Sequence, residues 1–269
     1  MSAPATLDRS FAVRRRRAET LRARHRFADE LLALYLAVLG AWESVSPGPP
    51  APEDAAPWAA DRVLPAVVEA TLAAGPPALA RAVRDRTDPP LAGWLEGAPL
   101  DPVDRFLARA SLTPVLEALG ERAGDACVAG SGAELCPRCG GPPQLSYLGE
   151  SGETLVSGPR SLLCARCGSS WTCSRSICPA CGEDREARLS VYAEQWHGPV
   201  SGRRDGDGQP VFGHVRVAAC STCSRYLIEV DMARDGRAVP EVDELAALPL
   251  DLYATDQGLT KVTPNLMGF

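Results

Sequence analysis

Apolar side chains follow two regimes along this chain. In the first half they recur at three- and four-residue steps, so that Phe27, Leu31, Leu34, Tyr35, Val38 and Trp42 would share one face of a helix. The stretch Ser46-Pro47-Gly48-Pro49-Pro50 should stop that helix, because proline lacks the amide and glycine is a poor helix former. A second helix is expected over 58–74, ending at Gly75-Pro76-Pro77, and short helices over 78–86 and 91–96. Asp101-Pro102 offers an N-cap followed by proline at the first helical position, with Asp104 in the first turn. Thr113-Pro114 repeats the start signal, and Gly120 and Gly124 end the run.

Past a small-residue stretch at 127–135, helical periodicity fades. Short β-like segments at 144–148, 160–163, 187–192, 214–219 and 226–230 lie between pairs of cysteines, as if one small unit were duplicated. Residues 198–210 form a glycine-rich, charged stretch expected to be an exposed, mobile loop. After Asp231 the chain turns acidic, with a short helix expected around 242–247. The pattern predicts an α+β protein. A helical N-terminal domain (1–126) and a linker (127–135) precede two tandem small β modules (136–177 and 178–230) and a C-terminal tail (231–269).

A length of 269 residues allows two or three domains and a buried core. The longest apolar run, from Leu31 to Trp42, is too short to span a bilayer, so no membrane insertion is expected. Arg14 to Arg17 are not followed directly by an apolar signal core, so no export signal is read and a cytoplasmic location is expected. Lys261 is the only lysine among the 28 Lys and Arg residues. Abundant arginine is therefore a habit of the whole chain and does not by itself mark anion recognition.

All ten cysteines lie from Cys127 onward, and eight form Cys-x-x-Cys pairs: Cys136/Cys139, Cys164/Cys167, Cys178/Cys181 and Cys220/Cys223. In a cytosolic chain such pairs read as metal knuckles rather than disulfides. Two intervening residues let a tight turn aim both sulfurs at one ion, and the residue after the second cysteine often needs positive φ. Gly140, Gly168 and Gly182 meet that need in three knuckles, and Ser224 departs from it in the fourth. Tetrahedral zinc or ferrous iron takes four ligands, so the knuckles must meet in pairs. Sequential pairing, first with second and third with fourth, lets each intervening segment fold as a hairpin. Interleaved pairing would close longer loops across only ten residues between the second and third knuckles. Four thiolates exclude magnesium and calcium but do not separate zinc from iron.

Cys173 reads as a buried small hydrophobe, and the role of Cys127 stays open. His25, His197 and His214 are scattered outside any knuckle spacing, although His197 beside Trp196 could serve a partner surface. Phosphate-binding loops, nucleophile elbows and zinc-protease motifs are absent from the sequence, so no enzyme is expected. The main alternative is a zinc-ribbon nucleic-acid-binding or transcription-associated module. Residues 136–223 carry nine arginines and eight acidic residues, and two ions with eight thiolates would bring the segment to about −3. A nucleic-acid footprint should be basic, so none is expected. The eight arginines within residues 1–30 read as a solvated helix face.

Cys164-Ala-Arg-Cys167-Gly-Ser-Ser-Trp171, followed by Arg175 three residues before Cys178-Pro-Ala-Cys181, resembles the FdhE-type formate dehydrogenase accessory proteins. The upstream Cys136-Pro-Arg-Cys139-Gly140, the fourth pair Cys220/Cys223 and the terminal Asn265-Leu266 extend the resemblance over roughly residues 100–269. It implies two rubredoxin-like (zinc-ribbon-like) modules holding two metal ions, with iron preferred over zinc and the eight knuckle cysteines as ligands. It also implies a cytoplasmic role in maturation, binding the formate dehydrogenase catalytic subunit. Two readings stand for the motif residues Trp171 and Arg175: a partner surface, since tryptophan and arginine are enriched at binding hot spots, or a structural role, with Trp171 packed on the metal hairpins and Arg175 in an internal salt bridge.

Overall fold

A computed structural model describes residues 7–45, 51–130, 132, 134–149, 158–194 and 211–269. The expected helix stop at 46–50, the loop at 198–210 and the Trp196-His197 pair lie outside them. The N-terminal half is helical: α1 (Phe11–Arg24), α2 (Asp29–Ser44), α3 (Ala55–Arg62), α4 (Leu64–Ala74), α5 (Pro77–Arg84), α6 (Leu91–Glu96) and α7 (Pro102–Leu119). The C-terminal half carries strands β1 (Pro143–Leu148), β2 (Arg160–Cys164), β3 (Ser170–Thr172), β4 (Leu189–Ala193), β5 (Val215–Cys220) and β6 (Arg225–Asp231). Helices α8 (Pro240–Ala246) and α9 (Leu248–Asp256) and the two-residue β7 (Thr260–Lys261) follow. The α+β organisation is the one expected.

Prolines explain two departures from the helix pattern. The helix expected over 58–74 is two helices, α3 and α4, divided at Val63. Pro65 follows closely and offers no amide to the preceding turn. At Thr113-Pro114 the opposite happens, and α7 runs straight through Pro114. Proline there deprives the Ala110 carbonyl, four residues back, of its helical donor. The indole Nε1 of buried Trp42 on α2 donates to that oxygen at 2.7 Å, so the freed acceptor is satisfied from the neighbouring helix. The Thr113 hydroxyl likewise donates back to the Arg109 carbonyl at 2.7 Å. At the start of α7 the Asp101 carboxylate accepts from the amides of Val103 and Asp104, as the cap signal predicts.

On α2 the expected stripe is buried through Leu34, Tyr35, Val38 and Trp42, but Phe27 is 49% exposed. Phe27 precedes α2 in a short 3₁₀ turn (Arg26–Ala28), off the helical phase, and its ring meets those of His25 and Phe212.

The strands form one sheet in the order β3-β2-β1-β6-β5-β4, with β7 beside β6. Each half is an antiparallel three-strand unit, β1-β2-β3 and β4-β5-β6. The units are joined where β1 runs parallel to β6, Ser146 opposite Glu229. One face of the sheet, including Leu145, Tyr147, Leu163, Val217 and Ile228, packs on Ala247 and Ala254 of the C-terminal helical segment.

Helix α8 is buried along its whole length, acidic side chains included. It touches α1 and α2 on one side and β1 and β6 on the other. Glu241 meets Arg9 at 2.7 Å and Arg14 at 3.3 Å, and both arginines also reach Glu117 of α7. Asp243 is gripped by Arg17 and accepts from or pairs with His214 at 2.7 Å. Glu244 pairs with Lys261 at 2.8 Å and takes a hydrogen bond from Gln144, itself bonded to Arg109. The basic N-terminal stretch is thus turned inward at Arg9, Arg14 and Arg17, against the expectation of a solvated face. Buried carboxylates demand buried cations, and the nearest supply is α1.

Trp42→Phe should lower stability by about 1–3 kcal/mol by stranding the Ala110 carbonyl. Adding Pro114→Ala, which restores a helical amide at that oxygen, should recover part of the loss. Chemical denaturation of the four-member mutant cycle checks this. Additive effects would show that the indole and proline are not coupled through Ala110.

Candidate metal centres

The duplicated unit has one plan: knuckle, strand, strand, knuckle, strand. The hairpin β1-β2 carries the first knuckle back to the second, at the end of β2. The hairpin β4-β5 does the same for the third and fourth, at the end of β5. Pairing is therefore sequential. Cys136, Cys139, Cys164 and Cys167 form one group, and Cys178, Cys181, Cys220 and Cys223 the other, each with its sulfurs within 4.8 Å of one another.

Sulfur separations test whether an ion fits. Metal–sulfur bonds of about 2.3 Å in a tetrahedron imply sulfurs about 3.8 Å apart. Cys136 and Cys167 lie 3.8 Å apart and Cys139 and Cys164 3.4 Å; in the second group Cys178–Cys223 is 3.8 Å and Cys181–Cys220 3.9 Å. Burial pushes the Cys164 thiol up, with its neighbouring sulfurs adding to the effect, and burial is also the leading cause for the raised Cys178 thiol. Four thiolates this close together would repel one another without a cation among them. The donor sets fit a divalent soft-ligand ion such as zinc or ferrous iron.

The first three knuckles are each closed by a backbone hydrogen bond. The amides of Gly140, Gly168 and Gly182 donate to the carbonyls of Cys136, Cys164 and Cys178 at 2.9, 3.2 and 3.0 Å. Inside the turns, the amides of Arg166 and Ala180 point at the sulfurs of Cys164 and Cys178. All three glycines have positive φ, and so does Ser224, at 54°, the only such non-glycine among the described residues. The fourth turn therefore keeps the positive φ of the others despite its serine. At Gly168 and Gly140 there is a second constraint, because a Cβ would lie 1.9 Å from Arg9 Nη1 and 2.2 Å from the Gly130 amide nitrogen, respectively.

The two centres differ in their surroundings. All four cysteines of the first are buried in the main hydrophobic core with the N-terminal helices and α8. Arg9 donates to the Gly168 carbonyl at 2.8 Å, joining that knuckle to the ion-pair network at α8. The hydroxyl of Ser169 lies 2.6 Å from the Cys167 sulfur and 3.5 Å from that of Cys136. In the second centre Cys178 and Cys220 are buried, but Cys223 is half-buried and Cys181 exposed. Arg9 and Ser169 escaped the sequence reading. Nothing local marks Arg9, and Ser169 is marked only by standing two residues beyond Cys167.

The remaining residues of interest fall elsewhere. Trp171, in β3 opposite Leu162, packs against the main core. Arg175 is exposed and donates to the Gly158 carbonyl, on a groove beside the second centre, so the two motif residues face different surroundings. Cys173 is half-buried rather than buried, and the Arg160 guanidinium donates to its sulfur at 3.1 Å. Cys127 is half-buried against the main core, and the neighbouring Cys139 holds its thiol below the ordinary range. His25 and His214 belong to neither group.

Residues 203–267 match the family model described as the FdhE C-terminal domain. The "Protein FdhE homolog" of Aquifex aeolicus is 27% identical over 134 residues, 50% of this chain and 41% of that protein. The homologue of Pseudomonas aeruginosa is 30% identical over 135 residues, 49% of this chain and 39% of that protein. The C-terminal part of the chain is thus similar in sequence to FdhE proteins. The aligned segment spans only about two fifths of the length of these FdhE relatives. The fold likeness is wider: the crystal structure of the FdhE protein from Pseudomonas aeruginosa matches with a TM-score of 0.64 at 23% identity, over 96% of this chain and 95% of that one.

Two outcomes are expected at the centres. Ser224→Gly should raise the melting temperature slightly, since it removes a left-handed serine costing on the order of 1 kcal/mol. Ser224→Val should lower it, and melting curves of the two variants decide. A zinc- or iron-loaded chain exposed to a chromogenic chelator should release one ion rapidly and the other slowly. Cys181→Ser should abolish the fast phase, and equal release rates would show that burial does not separate the centres.

Proposed function

We propose that this protein is an accessory protein for formate dehydrogenase, acting in the cytoplasm as a metal-binding maturation factor that docks on the catalytic subunit, and not as an enzyme. The observation carrying this is the pair of four-cysteine groups, each knuckle followed by a residue of positive φ, in a chain whose C-terminal segment matches the FdhE C-terminal domain. Cys136, Cys139, Cys164 and Cys167 would hold one ion, and Cys178, Cys181, Cys220 and Cys223 the other, with iron favoured over zinc by resemblance. Bound iron would supply one-electron chemistry, whereas bound zinc would serve as a structural staple.

No helix among the described residues is long and apolar enough to cross a membrane. The nucleic-acid alternative loses its best electrostatic support, because Arg9, Arg14 and Arg17 are committed to Glu117, Glu241 and Asp243. Phosphate neutralisation needs cations free to face a duplex.

Deleting the gene in a host that uses formate should abolish formate oxidation while leaving the catalytic subunit expressed. The purified protein should carry two metal ions per chain and retain the catalytic subunit in a pull-down. Normal formate oxidation in the deletion strain, with tight sequence-selective nucleic-acid binding at physiological salt, would support the ribbon alternative instead.

A further inference from the structure

The sheet face turned away from α8 and α9 carries a groove of about 220 Å³. Its floor is apolar, with Leu148 from β1, Leu227 from β6 and Ala218 from β5. The turn bearing Arg175 and Ile177 stands on one side, and β4, an outer strand of the sheet, supplies Leu189 and Val191. Ile177 is 38% and Val191 60% exposed, so apolar surface continues from the floor onto the rim. Cys178 and Cys220 of the second metal centre form part of the lining.

Four guanidiniums border this apolar surface: Arg160, Arg175, Arg216 and Arg225. Arg216 is committed to Glu229 at 2.9 Å and Asp231 at 3.2 Å. Arg160 is buried and fixed, its Nη2 donating to the carbonyls of Ser174 and Ile177 at 2.6 Å each. Those acceptors are neutral, so they leave its charge unbalanced. Arg225 is exposed, and no carboxylate among the described residues pairs with it. Glu229 is the one carboxylate in the lining, and it already faces Arg216.

We propose that this groove docks an extended segment of a partner protein in which carboxylate and apolar side chains alternate. Extended chain suits a sheet face beside an outer strand, because alternate side chains point to opposite sides. Apolar side chains would sit on Leu148, Ala218 and Leu227, with carboxylates at the guanidinium border. A polyanion such as nucleic acid fits poorly. Four thiolates around a divalent ion bring a charge of about −2 to one wall, and Glu229 adds another. The groove therefore offers separate cationic points over apolar floor rather than a continuous basic track. Arg225 pairs in register with Cys220, so a carboxylate held there would lie next to the knuckle, and the loaded centre would set the shape of that wall. The inference does not depend on which protein supplies the segment.

The test uses the metal-loaded full chain and a labelled hexapeptide of alternating glutamate and leucine, with the lysine–leucine hexapeptide as control. Saturable binding of the acidic peptide alone is expected, with backbone NMR shifts concentrated at Val191, Ala218 and Leu227. Arg225→Glu and Val191→Asp, both exposed positions, should each weaken binding about tenfold while metal content and melting stay unchanged. Shifts mapping elsewhere, equal binding of the two peptides, or no saturation by about 1 mM peptide would overturn the proposal. Inorganic phosphate displacing the peptide from the same residues at equal concentration would overturn it in favour of a small-anion site.

Discussion

The structure depends on burying an acidic helix. Glu241, Asp243 and Glu244 occupy alternate or adjacent positions of α8, a helix with no solvent-facing side. Each carboxylate would be costly there without a cation, and each has one: Arg9 and Arg14, Arg17, and Lys261. Burial tends to raise the Glu241 carboxyl, but the Arg9 and Arg14 guanidiniums hold it below the ordinary carboxylate range. Glu244 is raised by burial despite Lys261. Such pairs add little net stability over an apolar core, yet removing one partner leaves a buried charge. Their main effect is to specify which surfaces meet.

That specificity organises the rest. Because α8 lies between α1 and the β1/β6 strands, its ion pairs fix the N-terminal helices against the sheet. Arg9 extends the same network to the knuckle at Gly168, so the first metal centre is part of the joint between helices and sheet. The second centre lies at the other end of the sheet, outside both hydrophobic clusters, with Cys178 and Cys220 buried beside the groove. One duplicated unit thus occupies two environments: the copy beside the helices is enclosed, and the copy beside the open strand β4 is accessible.

Much of this was legible in the chain itself. Cysteine spacing located all eight ligating candidates and favoured sequential pairing, because a two-stranded hairpin returns its ends to one place, but only the fold excluded the interleaved alternative. Positive φ after three knuckles was signalled by Gly140, Gly168 and Gly182, whereas at Ser224 the sequence left it open and the structure shows it. Five strands and the cap at Asp101 followed from local pattern, since alternation and capping are properties of a few neighbouring residues.

What tertiary structure alone decided were relations between distant residues. Pro114 looks like a helix start until Trp42, 68 positions from Ala110 in sequence, supplies the missing donor. The N-terminal arginines look solvated until α8 is placed beside them, and α8 looks like part of an acidic tail until those arginines neutralise it. The parallel pairing of β1 with β6 leaves no local mark, because both strands are buried on both faces and nothing in their alternation names a neighbour. Sequence determined the chemistry of the knuckles because four sulfurs and a turn are local matters. The unlike exposure of the two centres came from what the fold packed around each.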